Sequence, residues 1–161
     1  MKTAVYPGSF DPMTLGHVDI IERISKVFDR VVILISHSSQ KNHLFSAIER
    51  QQMVEKSLSH LKNIQVEIHE GLTVNYMQKN KIGVIVRGLR AVVDFEYEMA
   101  MAAMNKKLDK EIETMLVFSS PEYYFVSSRG VKEVARFGGS LDGLVPESVQ
   151  DLLIQKIRTT K

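Results

Sequence analysis

The fold is decided by residues 4–35, which read AVYPGSFDPMTLGHVDIIERISKVFDRVVILI. Residues 4–6 predict the end of a first strand, and the apolar residues of 17–28 recur at the spacing of an amphipathic helix. Residues 31–35 form a continuous apolar run, as expected of a strand that a parallel sheet buries on both faces. The segment therefore predicts a strand, a polar loop, a helix and a second strand.

The same alternation continues along the rest of the chain. Further strands are predicted at residues 64–68, 84–86 and 113–118. Further helices are predicted at residues 47–58, 73–79, 94–108, 131–137 and 146–157. The first of them begins with the pattern of a capping box. This order predicts a single Rossmann-like α/β domain over residues 1–161, with a doubly wound five-stranded parallel sheet and helices on both faces.

The composition excludes several classes of protein. Of the 161 residues, 44% are hydrophobic and 25% are charged, which argues against a disordered or fibrous chain. The absence of cysteine excludes disulfides, thiolate catalysis and cysteine-based zinc sites. The net charge is only +2 and the N-terminus has no signal-peptide pattern, so we expect a cytoplasmic protein without a nucleic-acid or membrane partner.

The loop after the first strand predicts an anion site. It contains neither GxGxxG nor GxxxxGK[ST], which argues against a dinucleotide fold and a P-loop NTPase. It ends in Thr14-x-Gly16-His17 at the start of a helix, where free N–H groups favour a phosphate and His17 adds a donor. The alternative is an ordinary strand–helix turn with a histidine near the helix start.

Residues that suit anions also follow three other strands. They are Lys41 after the second strand, Arg87 and Arg90 after the fourth, and Ser127 and Ser128 after the fifth. Each has an ordinary alternative, as a solvated surface residue, a basic turn or a helix N-cap. Because the carboxyl ends of parallel strands share one edge, together they predict a site for a polyphosphate and a second phosphate. No nucleophile–base pair accompanies them, which favours catalysis by positioning and charge stabilisation, as in phosphoryl or nucleotidyl transfer.

These motifs resemble those of the bacterial phosphopantetheine adenylyltransferase family, whose nucleotidyltransferase superfamily is marked by [HT]-x-G-H. RGLRAVVDFEYE at residues 87–98 distinguishes this family from its superfamily relatives, and Thr14 in the first motif also favours it. The other matching stretches are YPGSFDPMTLGH (6–17), FD (28–29), FSAIER (45–50), MN (104–105), EIE (111–113) and VSSRGVKEVA (126–135).

The resemblance implies a reaction in coenzyme A biosynthesis. The adenylyl group of ATP is transferred reversibly to 4′-phosphopantetheine, giving dephospho-coenzyme A and pyrophosphate, by in-line attack without a covalent intermediate. Mg²⁺ is the implied cofactor; it comes with ATP and has no protein side chains as ligands. The resemblance also implies a homohexamer and coenzyme A as a feedback ligand.

The resemblance assigns roles to residues of this sequence. The implied catalytic residues are His17, as transition-state stabiliser, Lys41 and Arg90. The implied phosphopantetheine-binding residues are Ser9, Lys41, Thr73 and Arg87. The implied ATP-binding residues are Ser9, Phe10, His17, Gly88, Leu89, Arg90, Glu98, Tyr123, Tyr124, Phe125, Val126, Ser127, Ser128 and Arg129.

One residue departs from the family pattern and keeps other functions open. Arg129 stands where many members have serine or threonine, which could alter ATP binding. One rival is another nucleotidyltransferase, acting on nicotinate mononucleotide or, with CTP, on glycerol 3-phosphate; residues 87–98 argue against it. A second is a nucleotide-sensing module without catalysis; the presence of His17, Lys41 and Arg87 argues against that.

Several other residues are predicted to be structural. Asp94 and Glu98 share a helix face. They form either a solvated acidic surface or, as the resemblance implies, part of the wall near the ligands. The methionines of residues 99–104 are expected to fill the core or a subunit contact. The remaining histidines lack metal-ligand spacing and are interpreted as loop or surface residues: His37, His43, His60 and His69.

Overall fold

The computed structural model describes residues 2–37, 42–90 and 92–159, and strands alternate with helices along them. The strands are β1 (Thr3–Gly8), β2 (Arg30–His37), β3 (Ile64–Glu70), β4 (Val84–Leu89) and β5 (Glu113–Phe118). The helices are α1 (Leu15–Ser25), α2 (Ala47–Ser57), α3 (Thr73–Asn80), α4 (Val92–Leu108), α5 (Ser128–Arg136) and α6 (Glu147–Thr159), with a 3₁₀ turn at Pro121–Tyr123.

All five strands pair in parallel, which confirms the predicted doubly wound α/β fold. The strand order in the sheet is β3-β2-β1-β4-β5. The chain therefore winds outward from β1 to β3, returns to the other side of β1, and winds outward again. The switch point lies between β1 and β4, and sheets of this kind bind ligands beyond the carboxyl ends of the strands there.

Both faces of β2 are buried, as its apolar run predicts. Val31, Ile33 and Ile35 face a core that includes residues of α1, α2, α5 and α6. Val32 and Leu34 face the opposite core, which α3 covers. Successive strand residues alternate between the two layers because their side chains point to opposite faces.

Several element boundaries differ from the predicted ones, and three of the differences affect the site. β4 continues to Leu89, so Arg87 lies within the strand and only Arg90 follows it. α1 begins at Leu15 because Thr14 caps it, and it ends at Ser25. α5 begins at Ser128, three residues earlier than predicted, because Ser127 caps it.

The remaining predicted elements are close to the observed ones. Ser46 and Glu49 form the predicted capping box at the start of α2: the Ser46 N–H donates to the Glu49 carboxylate at 2.7 Å. α6 begins at Glu147, directly after Pro146, instead of at the proline itself. Within residues 2–37, 42–90 and 92–159, no helix has the length and apolar character needed to cross a bilayer.

Candidate active site

Two cavities open at the carboxyl edge of the sheet and meet there. The first cavity, of about 320 Å³, is lined by the β1–α1 loop, α1, the end of β4 and the start of α5. The second cavity, of about 460 Å³, is lined by the ends of β1 and β2, the start of α3 and one face of α4. Residues 7–9, Arg87 and Glu98 line both cavities. The junction is therefore where ligands in the two cavities would come together.

The β1–α1 loop holds an aromatic ring under the first cavity. Phe10 is 1% exposed, has a positive φ of 49°, and packs its ring edge-on against Tyr6 and His17. A Cβ on Gly8 would lie 2.9 Å from the Phe10 ring. Glycine therefore lets the strand end pass directly over this ring, which forms the floor of the site.

His17 lies in the first turn of α1 with one ring nitrogen already used. Its Nδ1 accepts the Thr14 backbone N–H at 3.1 Å and lies 2.9 Å from the Thr14 hydroxyl. Because Nδ1 acts as an acceptor, the proton of the neutral ring is on Nε2. Burial, aided by the positive charges of Arg90 and Arg87, lowers the pKa of His17 to about 4. At neutral pH the ring is therefore uncharged and offers an Nε2–H donor to the first cavity.

The low pKa of His17 predicts how stability depends on pH. Between pH 6.5 and pH 4 the unfolded chain binds a proton at His17 that the folded chain does not, so the free energy of unfolding falls as the pH falls through this window. In His17→Asn the side-chain oxygen replaces the Nδ1 acceptor but does not titrate. Urea unfolding across this pH range should give a shallower pH dependence for the variant, and two parallel curves would contradict the assignment.

Arg87 and Glu98 form an ion pair at the junction of the two cavities. Nε of Arg87 donates to Glu98 at 2.7 Å, a terminal nitrogen donates at 2.6 Å, and the other terminal nitrogen donates to the Pro7 carbonyl. Burial alone would lower the pKa of Arg87, but the hydrogen bonds and negative charge of Glu98 raise it above its ordinary value. The other two of its five N–H groups have no acceptor among the described residues, so they can face a ligand.

Arg90 connects the two segments that border the first cavity. It binds Asp94 with Nε and a terminal nitrogen, at 3.1 and 3.2 Å, and donates to the Val126 carbonyl at 3.2 Å. Asp94 lies in the first turn of α4, and Val126 lies just before α5. The guanidinium is therefore fixed in direction and adds positive charge to the cavity.

The start of α5 presents backbone donors and a cation to the first cavity. Ser127 is the N-cap, and its hydroxyl oxygen accepts the Gly130 N–H at 3.0 Å. The Ser128 hydroxyl donates to the Pro12 carbonyl at 2.8 Å and so ties α5 to the β1–α1 loop. Arg129 is exposed and lines the cavity, and none of the described residues hydrogen-bonds its guanidinium. This arrangement suits an anion.

The second cavity is longer and combines polar and apolar walls. Thr73, the first residue of α3, lines it together with Tyr97 and Met101 of α4. His37 and His43 also line it and are half-buried, whereas the sequence pattern indicated only loop or surface residues. Lys41 lies outside the described residues. The walls suit an elongated ligand with an anionic end near Arg87.

Most of the predicted site residues line the two cavities. Those predicted for ATP that line the first cavity are Ser9, Phe10, His17, Gly88, Arg90, Glu98, Val126, Ser127, Ser128 and Arg129. Those predicted for phosphopantetheine that line the second are Ser9, Thr73 and Arg87. Four residues predicted for ATP line neither of them: Leu89, Tyr123, Tyr124 and Phe125. Leu89 is 2% exposed because its position in β4 turns its side chain into the core.

Two buried charged residues brace the site and were not predicted to be part of it. Asp11 accepts the backbone N–H groups of Leu44 and Phe45, each at 2.9 Å, and pairs with Lys132 of α5. Arg50 of α2 is 0% exposed and donates to three backbone carbonyls. Asp11 lies in the stretch FDP (10–12) and Arg50 in the stretch FSAIER (45–50). A sequence does not reveal that a charged side chain is buried.

The acidic side chains of the site do not form a metal centre of their own. Asp94 and Glu98, which line the first cavity, are each bound by an arginine. Among the residues that the structure describes, no three histidine, aspartate or glutamate side chains cluster as metal ligands. A divalent ion that acts here fits best as one bound to the phosphates of a nucleotide.

Comparison with known proteins identifies the family. Residues 5–134 match the sequence model of the family described as cytidylyltransferase-like. A phosphopantetheine adenylyltransferase from Bdellovibrio bacteriovorus is 63% identical over 157 residues, which cover 98% of each chain. Another from Desulforudis audaxviator is 51% identical over 156 residues, which cover 97% of this chain and 96% of the relative.

A solved structure supports the fold independently. It is assigned as a nicotinate-nucleotide adenylyltransferase from Vibrio parahaemolyticus and matches with a TM-score of 0.74, covering 100% of this chain and 98% of its own. At 21% identity this likeness concerns the fold alone. The sequence relatives extend over nearly the whole chain at much higher identity, and the chain therefore belongs to the phosphopantetheine adenylyltransferases of the cytidylyltransferase-like family.

Proposed function

We propose that residues 1–161 act as a single nucleotidyltransferase domain that transfers the adenylyl group of ATP reversibly to 4′-phosphopantetheine. The observation that carries this proposal is the junction of two cavities at residues 7–9 and the Arg87–Glu98 pair. The names of the 63% and 51% identical relatives support the same reaction. The products are dephospho-coenzyme A and pyrophosphate.

The transfer is a single displacement at the α-phosphorus of ATP. An oxygen of the phosphopantetheine phosphate forms the new bond to this phosphorus, and the bond to the oxygen that bridges to the β-phosphate breaks. The electron pair of that bond leaves with pyrophosphate. The described residues of the first cavity include no cysteine or lysine to serve as a nucleophile, and the neutral His17 has Nδ1 occupied by Thr14. This supports direct attack without a covalent intermediate.

Residues of the first cavity hold ATP and stabilise charge. The Nε2–H of His17 donates to the α-phosphoryl group as negative charge develops there. Arg90 and the N–H groups at the start of α5 bind the β- and γ-phosphates. Mg²⁺ bound to the phosphates of ATP would reduce the negative charge that the attacking phosphate meets. The pairing of Asp94 and Glu98 with arginines supports an ion held by the nucleotide.

Residues of the second cavity hold phosphopantetheine. The two N–H groups of Arg87 that no described residue accepts bind its phosphate at the junction, together with the Ser9 hydroxyl, which is exposed there. The family resemblance assigns Lys41 to the same phosphate. The pantetheine arm extends past Thr73 toward Tyr97 and Met101 of α4. Holding both reactants at one junction supplies most of the catalysis, because it replaces a bimolecular encounter by an oriented contact.

Pyrophosphate release tests this function against its rivals. Purified protein with ATP and Mg²⁺ is given phosphopantetheine, nicotinate mononucleotide, glycerol 3-phosphate or no acceptor, and the last two reactions are repeated with CTP. We expect release only with ATP and phosphopantetheine. Release with another acceptor would assign the other nucleotidyltransferase activity. No release from folded protein that binds ATP would favour the nucleotide-sensing module.

Arg129 is expected to act on ATP alone, because it lines only the first cavity. Arg129→Ser should raise the KM for ATP about two- to fivefold, the effect of losing one exposed charge contact of about 0.5–1 kcal/mol. The KM for phosphopantetheine should not change. Arg136→Ser, at the other end of α5, is the matched control because Arg136 lines neither cavity. Unchanged kinetics in Arg129→Ser would place its guanidinium in solvent.

We also propose a homohexamer and feedback by coenzyme A, as the family resemblance implies. Exposed apolar side chains on α4 and β5 support a homohexamer contact: Met99, Met104, Leu108, Met115 and Phe118 are 45–66% exposed. Coenzyme A contains the phosphopantetheine and adenylyl groups of the product, so it is the expected feedback ligand of the two joined cavities. Analytical ultracentrifugation and inhibition by coenzyme A test these two expectations.

A further inference from the structure

Arg50 is a fully buried arginine whose hydrogen bonds all go to backbone carbonyls. It is 0% exposed, and its Nε donates to the Phe45 carbonyl at 3.2 Å. One terminal nitrogen donates to the Ser9 carbonyl at 2.6 Å and to the Ser36 carbonyl at 3.0 Å. No carboxylate in the described part of the chain forms an ion pair with it.

The three carbonyls belong to the segments that form the second cavity and the junction. Ser9 follows β1 and lines both cavities, and Ser36 lies near the end of β2 and lines the second. Phe45 is held from both sides, since its N–H donates to Asp11 and its carbonyl accepts from Arg50. Pairing of β1 with β2 ends at Gly8 and Ile35. Arg50 therefore joins the backbone of the next residue in each segment, Ser9 and Ser36, where the β1–β2 ladder no longer connects them. Of its three partners, Ser9 lines both cavities, Ser36 lines only the second, and Phe45 lines neither.

Burying a charge of this kind costs free energy, so the stability of the fold does not by itself account for Arg50. Burial lowers the pKa of Arg50, and the negative charge of Asp11 offsets part of this effect. An apolar side chain of similar volume often replaces a buried charge without loss of stability. The planar guanidinium, however, can hold three carbonyls in fixed directions, which neither an apolar chain nor a lysine can reproduce.

We propose that Arg50 is a positioning residue for the acceptor substrate: it fixes the Ser9 and Ser36 backbones so that the second cavity and the junction hold the acceptor phosphate in line with ATP. This rests on the proposed function. Arg50 lines neither cavity and contacts neither substrate in this role. Its effect passes through the Ser9 backbone to the Ser9 hydroxyl and the neighbouring wall of the second cavity.

Steady-state kinetics of Arg50→Lys and Arg50→Ala test the proposal. In Arg50→Lys we expect the KM for phosphopantetheine to rise roughly tenfold or more, with the KM for ATP within about twofold. The three donors of an ammonium sit on one nitrogen and cannot reproduce the planar arrangement in which two guanidinium nitrogens hold these carbonyls. In Arg50→Ala, added guanidinium ion should lower the raised KM again, whereas methylammonium should not. Circular dichroism and the melting temperature give the folded fraction to which each rate is normalised.

Arg23→Lys is the matched control. Arg23 also donates to a strand-end carbonyl, that of Phe118 at 2.7 Å, but it lines neither cavity. The Arg23→Lys variant should leave the KM for ATP and the KM for phosphopantetheine unchanged. An unchanged phosphopantetheine KM in Arg50→Lys, an equal rise in both KM values, or failure of both Arg50 variants to fold would overturn the positioning role. Failure of the proposed function would instead appear in the unmodified protein, as no pyrophosphate release with phosphopantetheine.

Discussion

His17→Asn should lower kcat by roughly two to four orders of magnitude, the range seen when one transition-state donor is lost. Among the described residues Thr14 binds Nδ1 of His17 and none binds Nε2, so the Nε2–H is the donor that the ring can offer a ligand. Asparagine places an oxygen near the position of Nδ1, so the cap of α1 survives while the donor to the α-phosphoryl group disappears. The KM for ATP should change little, since the donor acts on charge that develops only in the transition state.

The His17→Gln variant tests whether a neutral donor at this position is sufficient or whether the imidazole itself is needed. Its side-chain amide nitrogen reaches the region of Nε2 and restores a neutral donor, but it gives up the acceptor that Thr14 uses. We expect kcat between those of the asparagine variant and the unmodified protein, together with a lower melting temperature. A kcat in His17→Asn within about threefold of the unmodified value would remove His17 from the reaction, since a lost transition-state donor costs far more.

Arg87→Met should raise the KM for phosphopantetheine about ten- to hundredfold. This corresponds to charge-assisted hydrogen bonds to a phosphate worth about 1.5–3 kcal/mol. The substitution should also lower the free energy of unfolding by about 3–5 kcal/mol, because Glu98 keeps a buried charge without its partner. Kinetics and urea unfolding measure the two effects separately.

The double variant Arg87→Met/Glu98→Gln distinguishes binding from folding. It removes the stranded carboxylate, so most of the stability should return, while the KM for phosphopantetheine should stay high. Recovery of the KM together with stability would mean that Arg87 only neutralises Glu98. Because Glu98 also lines the first cavity, Glu98→Gln alone is the control for the KM for ATP. An equal rise of both KM values in the double variant, beyond the change that Glu98→Gln alone causes, would contradict the assignment of Arg87 to the acceptor.

The sequence predicted the fold well because its signals are local. The apolar run of β2 and the capping box of α2 each specify an element without help from distant residues, and their order leaves few topologies. The boundaries that shifted depend on caps and pairing. Thr14 and Ser127 start their helices earlier than the apolar pattern indicates, and pairing with β5 extends β4 through Arg87.

The arrangement of the site could be predicted only in part. The sequence predicted His17, Arg87 and Arg90 as site residues because each was expected to follow a strand, and the structure brings all three to the first cavity, with Arg87 inside β4. Sequence reasoning could not foresee that Glu98 would bind Arg87, or that Arg50 would be buried, because these contacts join residues 11 and 41 positions apart. Nor does a sequence reveal the tautomer of His17, which depends on the hydrogen bond from Thr14.

The central claim, direct transfer between two ligands that meet at one junction, is tested most directly by stereochemistry at the α-phosphorus. The α-phosphorus of ATP is made chiral by a sulfur substituent and oxygen isotopes. This ATP is converted with phosphopantetheine, and the configuration of the resulting dephospho-coenzyme A analogue is determined. A single in-line displacement predicts inversion. Retention would mean two successive displacements through a covalent adenylyl-enzyme, and it would contradict this account of the two cavities.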